Sequence, residues 1–307
     1  MEHISFDGQT AIVTGAGTGL GRSHAIELAK RGANIIVNDI GGDVNGRGAN
    51  ANSAQGVVDE IRSTGGAAFA HNADVTDTSQ VKDMVNQAIE AFGRIEILIN
   101  NAGILRDKSF SKMPIDDFMS VLNVHLLGSV TCTKAVWEHM KTNQYGRIVM
   151  TSSSSGLYGS FGQSNYAAAK MGLVGLMNVL HLEGRKYNIR VNTLSPTAYT
   201  RMTEDIVPPQ AGKLMTLESV TAALVLLASK NAPERTILCA GAGGYAVTKI
   251  CETAGIYLPP DQQTAEHVAA ALDQITDAYK QEEYVDGSSQ TYKFLEKAAQ
   301  HLKINLF

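Results

Sequence analysis

Three residues carry the first chemical signal in this 307-residue chain: Ser153, Tyr166 and Lys170, inside SSSSGLYGSFGQSNYAAAK. Tyr166 and Lys170 are four positions apart, so a helix stacks them on one face. A phenol ionises at about 10 in water, too high for proton transfer at neutral pH. A nearby ammonium favours the phenolate and lowers that value. Tyr166 then exchanges a proton with an alcohol or carbonyl oxygen while a cofactor takes or gives hydride. Ser153, at the end of the preceding strand, is placed to hold the same oxygen. An isolated Y-x-x-x-K is ordinarily a surface helix pair, so its meaning depends on its surroundings.

The surroundings supply a nucleotide site. TGAGTGLG at 14–21 follows an apolar run and opens a helical pattern. Gly15 and Gly19 permit a tight turn, and Thr18 and Leu20 stand where a helix N-terminus offers free N–H groups to a pyrophosphate. Asp39 lies 20 positions after Gly19. A carboxylate there accepts from a ribose 2′-hydroxyl and repels a 2′-phosphate. Its neighbours Asn38, Ile40, Gly41 and Gly42 include no cation, so NAD is expected over NADP; the alternative is a turn-capping Asp. Asp74 and Val75 meet an adenine, or Asp74 caps the next helix. Asn101, Ala102 and Gly103, in NNAG at 100–103, line a ligand crevice or form an Asn-stabilised turn.

These residues need a scaffold that brings strand ends together. Short β-branched runs at 11–14, 34–38, 67–72, 95–100, 147–151, 189–194 and 236–240 alternate with helical stretches at 20–31, 79–92 and 165–186. The runs are apolar on both faces, as strands covered on both sides require. The alternation predicts an α/β fold with one doubly wound parallel sheet. The Gly- and Asn-rich stretch 41–53 reads as a loop: a surface insertion, favoured over a substrate contact. After residue 244, Val268, Leu272, Ile275 and Tyr279 are spaced 4, 3 and 4, which predicts a helix, and a second follows at 292–302. Domain boundaries are placed at 1–250 and 251–307, the latter a helical extension packed on the main domain or on a partner subunit.

Composition excludes several classes. Lys and Arg number 26 against 30 Asp and Glu, and the pI is near 6.1, so nothing draws the chain to nucleic acid or anionic membrane. Cys132, Cys239 and Cys251 form no C-x-x-C pair, which predicts a reduced, cytoplasmic protein. No apolar run is expected to reach membrane-spanning length, and neither terminus is expected to be a targeting signal. The eight His show no metal spacing, and the 152–155 serines lack a nucleophile elbow. Met171 and Met177 read as core or interface.

Taken in order, TGxxxGxG, NNAG and YxxxK resemble the NAD-dependent short-chain dehydrogenase/reductase family, over about four fifths of the chain. The resemblance implies a Rossmann-type sheet of seven strands in the order 3-2-1-4-5-6-7, and a homodimer or homotetramer. It implies Tyr166 as acid/base, Lys170 on the nicotinamide ribose, Ser153 orienting substrate, and Pro196 and Ala198 against the cofactor. His125, in VHLLGS, stands where most members carry a water-anchoring Asn; it is either a relay group or a buried structural His. Pro196-Thr197 replaces the usual Pro-Gly, and AYTRMTEDIVPPQ at 198–210 is expected to cover the site as a lid.

VNDIGGD, NNAGILRDKSF and EGRKYNIRVNTLSP narrow the resemblance to the family's (3R)-hydroxyacyl-CoA dehydrogenases, and 41–53 is a feature of that subgroup. That implies interconversion of a (3R)-3-hydroxyacyl-CoA and its 3-oxoacyl-CoA. A 17β-hydroxysteroid or sterol side-chain-CoA dehydrogenase is the alternative, since both substrates offer a secondary alcohol. A reductase of acyl carrier protein would favour NADPH, against which Asp39 stands. A non-catalytic cofactor-binding regulator is opposed by the complete Ser153, Tyr166 and Lys170 set.

Overall fold

The structure is a computed structural model that describes residues 3–48, 50, 52–203 and 207–306. They fall into two compact units, Met1–Val247 and Thr248–Phe307.

The first unit is built on β1 (Thr10–Thr14), β2 (Asn34–Asn38), β3 (Ala68–His71), β4 (Ile97–Asn100), β5 (Gly146–Thr151), β6 (Ile189–Thr197), β7 (Ile237–Gly241) and β8 (Gly244–Thr248). The sheet order is 3-2-1-4-5-6-7-8, and β1 to β7 pair in parallel. The count corrects the expected seven strands. Ala242 and Gly243, at φ 49° and 77°, make a two-residue turn after β7. So short a connection joins antiparallel strands, and β8 folds back on the edge.

Alternation along the strands creates two layers. Ala11, Val13, Ile35, Val37, Ile97 and Ile99 point to one side, against Leu28 of α1 (Gly19–Lys30), Val57 and Ile61 of α2 (Asn52–Ser63), and Val220 and Leu224 of a later helix, 217–228. Ile12, Ile36, Leu98 and Ile148 point to the other, against α3 (Thr78–Phe92) and two further helices on that side. Every one of these side chains is almost fully buried. Burying a large aliphatic side chain contributes about 1.5–3 kcal/mol, so this period-2 pattern fixes the sheet between its helices.

After β4, α4 (Ile115–Leu122) continues through one π-helical stretch, Asn123–Leu127, into α5 (Gly128–Thr142). Beyond β5 come the short α6 (Ser154–Tyr158) and the 21-residue α7 (Ser164–Gly184). α8 (Pro209–Gly212) and α9 (Leu217–Ala228) follow β6. The 210–228 stretch has a mean hydropathy of 1.5 and the length of a membrane span, contrary to the expectation that no run was so long. It is interrupted at 213–216, and Val220, Leu224 and Leu227 are buried in the core of the unit.

In the second unit, β9 (Glu252–Thr253) pairs antiparallel with β10 (Gln281–Glu282). The helix expected from the 4-3-4 spacing is broken into α10 (Ala265–Ala270) and α11 (Leu272–Ile275), because Ala271 leaves helical geometry at φ −95° and ψ 6°. Asp277 then caps a separate turn by accepting from Tyr279 N–H. α12 (Gly287–Leu302) contains the second expected helix and begins earlier, where Asp286 caps it by accepting from Ser289 N–H. Lys293 is anchored on Glu252 at 2.7 Å.

Candidate active site

The carboxyl ends of β1, β2, β4, β5 and β6 open on one cleft of about 860 Å³. Each of the residues expected at the site lines it: Gly15, Thr18, Gly19, Leu20, Asp39, Asp74, Val75, Asn101, Ala102, Gly103, His125, Ser153, Tyr166, Lys170, Pro196 and Ala198. A crevice at strand carboxyl ends is the usual ligand position of an open α/β sheet.

The glycine turn after β1 is required by space. A Cβ on Gly15 would lie 2.8 Å from Ala102 Cα, and one on Gly21 would lie 2.2 Å from Gly15 O. Gly15 also has φ +62°. Asn101 shapes this turn from below: its amide donates to Thr14 O at 3.0 Å and Gly15 O at 3.1 Å. Both amide hydrogens of Asn101 are thereby engaged by the turn. Asp39 closes the other side, accepting from Gly17 N–H at 2.8 Å and Gly41 N–H at 2.6 Å. A carboxylate has further lone pairs, so these bonds leave room for a ribose hydroxyl. Asp74 accepts from Thr76 N–H at 2.8 Å, whereas the cap of α3 is Asp77.

Ser153, two residues beyond β5, caps α6 by accepting from Ser155 N–H at 3.2 Å, and its hydroxyl acts on the Tyr166 phenol to lower its pKa. Lys170 donates to Thr151 O at 2.5 Å and lies 5.4 Å from the centre of the Tyr166 ring. Its neighbour Ser152 bonds Lys170 O at 2.9 Å, tying β5 to α7. Burial brings the Lys170 ammonium down to about 7 and pushes the Tyr166 phenol up to about 12, where the Ser153 hydroxyl opposes burial and the Asp107 charge adds to it. In the protein alone the direction is opposite to the one expected from Lys170, because burial is the largest influence on the phenol. At neutral pH the phenol holds its proton, as an acid that protonates a carbonyl oxygen must.

His125 sits in the π-helical stretch, 2 % exposed. Its Nε2 lies 2.8 Å from Ile104 O and 3.0 Å from Ile104 N, one tautomer serving each contact. Nδ1 is buried and has no hydrogen-bond partner among the described residues. A Cβ on Gly103 would lie 2.1 Å from its Cε1, so that glycine makes room for the imidazole. Burial first, then the Lys170 charge, holds the imidazole well below its ordinary pKa.

Sequence reasoning missed three contributors. Asn165, beside Tyr166 and fully buried, donates to Arg106 O at 3.0 Å and accepts from Tyr166 N–H, pinning the segment after β4 to α7. Gln163 donates to Asp107 at 2.6 Å across the mouth of the cleft. Arg201 donates to Thr18 Oγ1 at 2.7 Å. None belongs to a periodic or Gly-rich signal. Of the two readings of 41–53, the less favoured one fits: Asp43, Val44 and Gly46 line the cleft, and Val44 O accepts from Leu105 N–H at 2.9 Å. Ala49 and Ala51 lie outside the described residues. Thr197 continues β6, paired with Gly241, as a β-branched residue favours. Of the expected lid, residues 204–206 lie outside the described residues.

A Rossmann-type sheet with this cradle and a Ser, Tyr and Lys beside it defines a class. The chain belongs to the short chain dehydrogenase family, which it matches over residues 9–211. It is 44% identical over 282 residues to peroxisomal multifunctional enzyme type 2 of Drosophila melanogaster, spanning 90% of this chain and 46% of that protein. The solved full-length structure of that enzyme gives a TM-score of 0.81 at 35% identity, covering 97% of this chain and 51% of the other. The chain therefore spans about half the length of this relative. A short-chain type dehydrogenase/reductase of Mycobacterium tuberculosis is 43% identical over 87% of this chain and 93% of its own. A 7α-hydroxysteroid dehydrogenase solved with NADH and 7-oxo glycochenodeoxycholic acid gives a TM-score of 0.71 at 30% identity, over 78% of this chain and 95% of that one. A nicotinamide cofactor fits the residues present: Gly19 faces open space in the cleft, where the nearest neighbour to an added Cβ is Thr200 at 3.9 Å, and Asp39 lines the same cleft.

Proposed function

We propose that this chain is an NAD-dependent oxidoreductase that interconverts a (3R)-3-hydroxyacyl-CoA and its 3-oxoacyl-CoA. The observation that carries the reading is the grouping of Ser153, Tyr166 and Lys170 beside the glycine cradle at the carboxyl end of one sheet. The cofactor supplies or accepts hydride. Tyr166 gives its proton to the substrate oxygen on reduction and recovers it on oxidation. Ser153 holds that oxygen, and Lys170 holds the nicotinamide ribose and returns the proton to Tyr166. His125, with its unpartnered Nδ1, passes protons on from Lys170. Asp39 favours NAD, since no cation beside it welcomes a 2′-phosphate.

The acyl-CoA substrate is supported by likeness to the multifunctional enzyme. Exposed Leu127, Val179 and Leu182, on the π-helical stretch and α7, support a homodimer or homotetramer. The test is the initial rate of NADH oxidation with a medium-chain 3-oxoacyl-CoA, beside a 17-ketosteroid in the same assay. Fast acyl-CoA turnover with slow steroid turnover is expected. The reverse overturns the substrate assignment, and no turnover of either overturns the enzymatic reading.

A further inference from the structure

We infer that Arg201 is a second arm of the cofactor-diphosphate grip, reaching from the loop after β6 to the anion held over the glycine turn. The inference rests on the nicotinamide-dinucleotide reading of the cleft. It assigns a binding role to a residue outside both the glycine turn and the Ser153, Tyr166 and Lys170 group.

The loop is built to aim this side chain. Thr203 Oγ1 donates to Ala198 O at 2.9 Å and accepts from Thr200 N–H at 2.9 Å, closing residues 198–203 into a compact turn. Tyr199 N–H donates to Met215 O at 2.8 Å and fastens the turn to the chain ahead of α9. The turn lies over the start of α1: a Cβ on Gly19 would lie 3.9 Å from Thr200 Cγ2. From there Arg201 crosses the cleft to Thr18.

The contact it makes there is a poor match for a guanidinium. Arginine carries five N–H donors in a planar fork suited to carboxylate or phosphate. Here one nitrogen meets one neutral hydroxyl, and Thr18 is its partner among the described residues. Thr18, in turn, makes no side-chain cap bond to α1, and the first turn of α1 carries no acidic residue. Among the described residues, a full positive charge and a hydroxyl thus meet beside the glycine turn with no carboxylate bonded to either. The dinucleotide's diphosphate is the anion that a cradle of this shape admits. In its presence Arg201 exchanges a weak neutral contact for charge-assisted bonds. The 198–203 turn then closes over the occupied cleft from the opposite side to α1.

The experiment is direct binding. NADH is titrated by its own fluorescence into the native protein, Arg201→Ala and Arg201→Lys. ADP, which carries a diphosphate, and adenosine, which does not, are used as competitors. Arg201→Ala is expected to weaken NADH and ADP by about tenfold or more, the scale of a lost hydrogen bond to a charged group. Adenosine should be unaffected, and Arg201→Lys should recover part of the loss. The dependence of NADH affinity on salt should flatten in Arg201→Ala. Equal NADH and ADP affinity in native protein and Arg201→Ala overturns the inference while leaving the enzymatic reading intact. A native protein that binds no NADH overturns that reading and the inference with it.

Discussion

The imidazole of His125 meets the ring of Tyr166 at right angles, with centroids 5.1 Å apart and planes at 88°. An edge-to-face contact fixes both rings. It also brings a neutral, buried nitrogen base beside the phenol and within the field of Lys170. Removing the ring in His125→Ala should lower kcat by about tenfold or more. His125→Asn keeps a hydrogen-bonding side chain and should retain more activity. Because the His125 pKa is held well below the ordinary value, its protonation should add no limb to the pH–rate profile near neutrality. Measured kcat against pH, with NADH affinity as the control, checks all three.

Tyr166→Phe removes the phenolic proton and little volume. Turnover should fall by about 10²- to 10⁴-fold, the usual worth of general acid–base catalysis. NADH affinity should stay close to native, since the cradle is untouched. Stopped-assay rates and fluorescence titration on the same preparation separate the two.

Lys170 is destabilising where it stands. Its pKa falls from 10.5 in water to about 7 on burial. Between those values the unfolded chain binds more protons than the folded one, so stability rises with pH across that window. Below it the full cost of the buried ammonium is present. Lys170→Met keeps the stem and removes the charge. Its Tm should exceed that of the native protein at about pH 6, with the gap narrowing at about pH 10. Turnover should collapse at both. Thermal melts at the two pH values check the sign.

His24 on α1 is fully buried against Thr221 of α9, with Nδ1 2.8 Å from Thr221 Oγ1. Burial lowers it from 6.5 to about 3. The folded state then resists protonation that the unfolded state accepts, and stability falls as pH drops through that window, by up to about 1.4 kcal/mol per pH unit. His24→Leu should move the acid-unfolding midpoint to lower pH. An unchanged midpoint would show that other groups govern acid unfolding.

Gly21→Ala tests the cradle without touching a charged group. The added Cβ would lie 2.2 Å from Gly15 O, so the turn must shift. NADH affinity should fall at least tenfold, with a loss of stability of about 1–3 kcal/mol. Circular dichroism and NADH titration distinguish a displaced turn from an unfolded chain.

Much of this was legible in local sequence. Continuous apolar runs such as 11–14 and 34–38 specify buried parallel strands because both faces must be covered. The glycines at 15 and 21 specify a turn because a side chain would strike the backbone, and Gly19 because its φ is +55°. The i, i+4 spacing of Tyr166 and Lys170 places them on one face of whatever helix carries them. These are consequences of bond geometry and steric exclusion over a few residues, so a short window suffices to read them.

Tertiary structure decided the rest, because the remaining interactions join residues far apart in the chain. Only packing buries Lys170 and Tyr166 and drives their pKa values in opposite directions, reversing the simple expectation of a lowered phenol. Only the fold brings Arg201 to Thr18 across 183 positions. The 41–53 stretch carries no signal of its own that Val44 and Gly46 line the cleft. The fold alone also seats His125 between Gly103 and Tyr166. Desolvation and charge–charge coupling depend on the three-dimensional surroundings of a group, which no local pattern of residues encodes.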